Sequence, residues 1–178
     1  MANLAIGEAD ALVGIAASGT TPYVLAALLA ARDRGALTVA VSNNEPAPIL
    51  EMADHPIAFV TGPEVLAGST RLKAGTAQKL VLNMLRTATM VLLGKVHRNR
   101  MIDVAVSNRK LRRRAEDIVA ELVSCDEGTA ARLLDAADME AKTAVVMGLE
   151  DVDATTARAR LAAADGRLRH ALGSGQIS

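Results

Sequence analysis

Aromatic side chains are almost missing from this chain of 178 residues: Tyr23 and Phe59 are the only two, and there is no tryptophan. The core must therefore be packed by Ala, Val, Leu, Ile and Met. Cysteine is reduced to Cys125, which excludes an intrachain disulfide and fits a reducing compartment. Excess charge is lacking too, since 20 Lys and Arg balance 20 Asp and Glu; this argues against a partner chosen by bulk charge. No signal peptide pattern opens the chain, and no apolar run is long enough to span a bilayer. The longest candidate is interrupted by Asn83 and Arg86. The expected compartment is the cytoplasm, with no membrane partner. What remains is 51% hydrophobic residues, enough for one domain with a sizeable core or one domain plus a small appendage.

Three short apolar runs punctuate the first third: "DALVGIA" (Asp10–Ala16), "LTVAVS" (Leu37–Ser42) and "PIAFVTG" (Pro56–Gly62). Each is continuous rather than alternating and ends in turn residues, as buried parallel strands do. Between the first two lies "TPYVLAALLAARDRG", with Pro22 at a first helical position and Gly35 as a stop. A shorter helix near Pro48–Ala53 joins the second and third runs. The front of the chain reads as α/β with a parallel sheet.

After Gly75 the apolar period changes. Ala77, Leu80, Val81, Met84, Leu85, Ala88 and Leu92 recur at steps of three and four, which predicts a long helix. From about Arg98 onward the chain reads as helical throughout, with no further strand. A 27-residue shift aligns Asp126 with Asp153, Thr129 with Thr156, Ala130 with Ala157 and Leu134 with Leu161. It also aligns Ala136-Ala137-Asp138 with Ala163-Ala164-Asp165, and Ala144 with Ala171. Two copies of a short helix–turn–helix unit are expected. Residues 1–97 and 98–178 are the expected domains.

Two polar loops stand where strands lead into helices, the place where open α/β sheets bind ligands. The first is "ASGTTP", with Ser18, Gly19, Thr20 and Thr21. Its hydroxyls suit an anion at a helix N-terminus, although Ser and Thr are equally common as plain helix caps. The second is "GPEVLAGSTRLKAGTAQK", in which Ser69, Thr70, Arg71 and Lys73 gather ahead of the apolar helix and Glu64 is the sole acid. Neither loop has the Walker pattern, so the pair points to a small phosphorylated ligand rather than a nucleotide. "NRKLRRR" (Asn108–Arg114) is followed at once by "AED", which argues against a nucleic-acid patch. His55, His97 and His170 lack ligand spacing, so no metal site is expected.

The second loop resembles, along its length, the signature shared by N-acetylmuramic acid 6-phosphate etherases and glucokinase regulatory proteins. "VGIAASGTTPYV" and "LGKVHRNRMIDVAVSNRKL" are similar to flanking segments of the bacterial etherases. The resemblance implies the C-terminal part of a sugar isomerase domain, a parallel sheet between helices, followed by helices like those of ubiquitin-associated domains. It further implies binding of a hexosamine 6-phosphate and, in the complete enzyme, cleavage of the D-lactyl ether to N-acetylglucosamine 6-phosphate and D-lactate without metal or organic cofactor. This lyase chemistry belongs to peptidoglycan recycling. Ser18, Gly19, Thr21, Glu64, Ser69, Thr70, Arg71 and Lys73 match the pattern; Thr20 departs from it, since arginine is usual there.

The family's first phosphate loop and both catalytic glutamates belong upstream of "DALVGIA", so no catalytic residue is assigned within this chain. A non-catalytic sugar-phosphate module or an inactive remnant is the alternative reading. Without the family's preceding strand, "DALVGIA" is expected to form a sheet edge, and the chain is expected to be a homo-oligomer or to need an N-terminal half from another chain.

Overall fold

The computed structural model describes residues 5–172. The chain folds as two compact units, the first ending at Leu85 and the second starting at Arg86.

The first unit is built on three parallel strands in the order β1-β2-β3: β1 (Ala11–Ile15), β2 (Leu37–Ser42) and β3 (His55–Ala58). Helix α1 (Pro22–Arg32) connects the first pair and α2 (Pro48–Glu51) the second. Both helices pack on one face of the sheet, where Leu28, Ala40 and Ile49 are buried together with Ala16, and Leu12 and Val24 pack against them. Gly14 permits this approach: a Cβ there would lie 2.9 Å from Leu28 Cγ. At the opposite end of the strands Asp54 fastens β2. Its Oδ2 accepts from Thr38 N–H at 2.8 Å and from the Thr38 hydroxyl at 2.7 Å, while Asp54 N–H donates to Thr38 Oγ1.

Helix α3 (Lys73–Leu92) follows a 14-residue connection and is 20 residues long. The periodicity located it correctly, yet Ala74 is its only buried residue. Leu80, Leu82 and Met84 stand 55%, 40% and 62% exposed. Leu80 and Met84 lie one turn apart on a single face, while Leu82 is on the other side of the helix.

The second unit begins with a feature that helical periodicity concealed. β4 (Val96–His97) and β5 (Arg100–Met101) form a small antiparallel hairpin, with Arg98 at φ 53° in its turn. An extended segment follows, placing Ile102 in the core and Val104 and Val106 against it. The expectation of helix from Arg98 onward is thus corrected: the first helix there, α4 (Arg109–Val123), starts only after Asn108, whose Oδ1 accepts from Leu111 N–H at 3.0 Å. A two-residue turn and an alternating Val-Ala-Val run are too short to register against the long helical pattern around them.

Helices α5 (Glu127–Ala136), α6 (Ala141–Glu150), α7 (Ala154–Ala163) and α8 (Leu168–Ala171) complete the unit. The 27-residue repeat is realised bond for bond. Asp126 caps α5 by accepting from Thr129 N–H, and Asp153 caps α7 by accepting from Thr156 N–H. Asp138 and Asp165 both turn left-handed, at φ 53° and 51°. The next residue then donates back to the preceding helix: Met139 N–H to Leu134 O, Gly166 N–H to Leu161 O. Ala130, Leu134, Ala157 and Leu161 share one core with Ile118, Val119 and Val145. No described helix is long and apolar enough to cross a membrane.

Candidate functional site

In a parallel sheet every strand delivers its following loop to the same edge. The loops after β1 (residues 16–21), β2 (43–47) and β3 (59–72) therefore leave from one side, and this is where the structure puts both polar segments.

The first loop is shaped by hydroxyls and one glycine. Ser18 Oγ accepts from Thr20 N–H at 3.3 Å and from Thr20 Oγ1 at 3.1 Å, a closed local turn. Gly19 has φ 70°, and a Cβ there would sit 2.3 Å from Ala47 Cβ and 2.9 Å from Ser42 Oγ, so no other residue fits. Thr21 occupies the N-cap of α1, but its side chain makes no capping bond. The plain-cap reading of this residue is therefore not what the structure adopts: the hydroxyl stands at the positive end of a helix without being spent on it.

The second loop is organised by Glu64. Its Oε1 accepts from Ala74 N–H at 2.9 Å and its Oε2 from Lys73 N–H at 3.0 Å. These bonds, that to Ala74 foremost, hold the carboxyl below the usual glutamate range, assisted by the Lys73 charge. Glu64 thus caps α3 from nine residues upstream. The first amides of α3, expected to be open to phosphate, are already occupied by a carboxylate. Ser69 is half-buried, with its N–H donated to Leu66 O, while Thr70, Arg71 and Lys73 are exposed. Lys73 Nζ reaches back over Gly62.

Sequence reasoning missed the residues that tie the loops together. Asn43 is buried and donates its N–H to Ala17 O at 3.1 Å. Its side-chain Nδ2 donates to Phe59 O at 3.5 Å, and its Oδ1 accepts from Gln78 Nε2 of α3 at 2.8 Å. Asn44 Nδ2 adds a second bond to Ala17 O at 3.0 Å. One asparagine pair thereby joins the Ser18 loop, the loop after β3 and the helix following Ser69. The signal was "SNNEPAP" at the end of β2: two amides where a strand meets a turn, read there only as turn chemistry.

The other candidates have structural surroundings of their own. Arg112 within "NRKLRRR" is paired with Glu116 at 2.8 Å and Asp135 at 2.7 Å, as a structural helix face would be. Burial raises the thiol of Cys125 above its usual range, with Asp126 adding to it, the environment of an unreactive side chain. His97 is held below its usual range by desolvation first and by Arg98 and Arg169 next. Among the described residues no cluster of His, Cys, Asp and Glu has the makings of a metal site.

The fold and this edge define a class. Residues 1–88 match the SIS domain, and residues 98–139 match the C-terminal lid domain of glucokinase regulatory protein. Residues 1–88 belong to the SIS domain family, and the chain as a whole is a relative of the N-acetylmuramic acid 6-phosphate etherases. It is 53% identical to the one from Rubrobacter xylanophilus, over 97% of this chain and 57% of the relative. It is 51% identical to that of Actinobacillus pleuropneumoniae serotype 5b, over 93% of this chain and 54% of the relative. With the Streptomyces avermitilis etherase it shares 51% over 97% of this chain and 55% of the relative. The chain spans about half the length of the curated relatives it matches.

Proposed function

We propose that this chain is the sugar-phosphate-binding half of an N-acetylmuramic acid 6-phosphate etherase. The observation that carries the reading is the Asn43 bridge. It links the hydroxyl-rich loop after β1 to the loop carrying Ser69, Thr70, Arg71 and Lys73. Hydroxyls at the mouth of α1, together with Arg71 and Lys73 of the segment that the bridge ties to that loop, suit a phosphate dianion, and side-chain cations supply charge where the α3 amides are already taken. A hexosamine 6-phosphate is the proposed ligand, in the cytoplasm, with no metal or organic cofactor.

Ether cleavage asks for more than phosphate binding. A base must take a proton beside the sugar carbonyl carbon, and an acid must protonate the departing lactate oxygen; water then adds where lactate left. Positioned carboxylates of this kind contribute about a hundredfold to ten-thousandfold each. Glu64 is the one acid of the signature loop, and both its oxygens accept from α3. It supports the loop rather than serving as acid or base. The acid and base are assigned to the part of the family chain that precedes the matched region, as the resemblance implies. Binding without transition-state stabilisation yields occupancy and no turnover, so a non-catalytic binding module is what this half alone amounts to.

The test is D-lactate release from N-acetylmuramic acid 6-phosphate. The purified chain alone is expected to release none, and the chain together with the preceding part of a related etherase is expected to release it. Release by the chain alone, abolished by Glu64→Gln, would place the catalytic acid here and refute the division.

A further inference from the structure

We propose that Tyr23 is the residue that contacts the sugar ring, which makes this edge a site for a sugar phosphate rather than for phosphate on any carrier. This rests on the proposed function and deepens it. Tyr23 is the only tyrosine of the chain and stands 75% exposed. It is the second residue of α1, directly after the loop Ser18–Thr21 and Pro22. The packing of α1 does not use it. Val24, Leu25 and Leu28 pack on the sheet, and Leu28 and Ala31 are fully buried. The core is filled with aliphatic side chains, so a large ring left in water at the mouth of a polar loop has the character of a ligand surface: rigid, amphipathic and with few rotamers to lose.

The two helix starts at this edge differ. The first amides of α3 are taken by Glu64. At α1 the Thr21 side chain makes no capping bond, and among the described residues the Tyr23 N–H has no partner within the chain. Phosphate at this edge therefore meets open donors at α1. A 6-phosphate is joined to the pyranose ring through one oxygen and one methylene group, so the ring comes within one helical turn of it, about 5 Å. The Cα–Cβ bond of a helical residue tilts toward the helix N-terminus, which starts the Tyr23 side chain toward that same end. A tyrosine ring is long enough to lie along a sugar placed there.

The sugar offers the surface an aromatic face needs. In N-acetylglucosamine 6-phosphate the ring substituents other than the anomeric hydroxyl are equatorial, and each face presents axial C–H bonds. Their hydrogens carry partial positive charge from the neighbouring oxygens and meet the negative face of the π-system. The contact supplies what the loops lack. Hydroxyls and cations recognise a phosphate whatever carries it, whereas a ring face selects a pyranose. Phe59, the other aromatic residue, is half-buried, which leaves Tyr23 as the exposed ring.

With one tyrosine in the chain, protein deuterated at every carbon except the tyrosine ring has a single source of proton saturation. The experiment irradiates the Tyr23 ring in such protein with N-acetylglucosamine 6-phosphate in excess and reads transfer to the sugar protons, while the amide shifts of Ser18–Thr21 report binding. Transfer to the sugar ring C–H protons is expected, strongest on one face and abolished by excess inorganic phosphate. Tyr23→Leu, an exposed substitution whose folding is checked by circular dichroism, is expected to lower affinity for N-acetylglucosamine 6-phosphate about threefold to tenfold and to leave that for inorganic phosphate unchanged. Tyr23→Phe is expected to keep both. Amide shifts without transfer from Tyr23 overturn the proposal and leave the phosphate site standing. An equal loss of both affinities in Tyr23→Leu also overturns it, by giving the side chain a structural role. So does transfer that disappears, with the amide shifts retained, when the preceding part of a related etherase is added. Absence of amide shifts with either ligand overturns the proposal together with the reading it rests on.

Discussion

Glu64 and Ala74 are ten residues apart in sequence and joined by a 2.9 Å hydrogen bond from the Ala74 amide to the Glu64 carboxylate. With the companion bond from Lys73, it sets where α3 begins and holds the loop carrying Ser69, Thr70 and Arg71 over that point. A carboxylate at a helix N-terminus also meets the positive end of the helix dipole.

A pH dependence follows. The folded carboxyl lies below the ordinary glutamate value of 4.5, so the folded state binds its proton less readily than the unfolded state. The stability it contributes is present in full above that ordinary value and is lost as pH falls through the lowered one. Glu64→Gln keeps one acceptor oxygen and removes the charge. The Lys73 and Ala74 amides are expected to exchange faster in the variant at neutral pH, with the gap between variant and parent closing as pH falls through the lowered value. Equal exchange in both proteins at neutral pH would show that Glu64 does not hold the helix start.

The helical repeat offers a cleaner energetic test. Met139 and Gly166 are equivalent positions, at φ 66° and 70°. A Cβ on Gly166 would meet only Lys142 Nζ, at 3.8 Å, so Gly166→Ala adds no clash and isolates the backbone cost. The left-handed conformation is expected to cost about 1–2 kcal/mol for a residue with a Cβ, read as lowered thermal and denaturant stability of the second unit. No change would mean the turn relaxes out of the left-handed region.

Gly148 probes the packing of α4 on α6. A Cβ there would sit 2.7 and 2.9 Å from the two Val123 methyl carbons and 3.0 Å from Leu133 Cδ1. Gly148→Ala is expected to destabilise by about 1–3 kcal/mol through overpacking, and Gly148→Ala with Val123→Ala is expected to recover part of the loss. A single variant as stable as the parent would contradict this close approach.

Much of this architecture was legible because it is local. Continuous apolar runs marked β1 to β3, Pro22 and Gly35 bracketed α1, and the 27-residue match of Asp126 and Thr129 with Asp153 and Thr156 marked two equivalent helical units. The hairpin at Val96–Met101 was not legible, since two residues a strand carry no period. Nor was the exposure of α3: periodicity shows that a helix has an apolar face and not whether anything covers it. In the site, the hydroxyls and cations were visible as types, whereas the Asn43 bridge and the capture of α3 by Glu64 depend on bonds between residues 35 and 10 positions apart.

The departure at Thr20 carries its own prediction. The resemblance implies arginine here, and Thr20 Oγ1 instead donates to Ser18 Oγ. Thr20→Arg frees Ser18 and brings a cation to the loop. If the loop receives phosphate, affinity for N-acetylglucosamine 6-phosphate, measured by calorimetry, is expected to rise about tenfold, in keeping with the strength of hydrogen bonds to charged groups. Unchanged affinity would take this position out of the site.

The central claim, that the Ser18 and Ser69 loops together hold a sugar phosphate, is tested most directly by titrating isotope-labelled protein with N-acetylglucosamine 6-phosphate and following the backbone amides by NMR. The expected shifts fall on Ser18–Thr21, Asn43 and Ser69–Lys73, are absent with unphosphorylated N-acetylglucosamine, and are lost in Arg71→Ala combined with Lys73→Ala. Shifts confined to the helical unit, or of equal size with the unphosphorylated sugar, would contradict it.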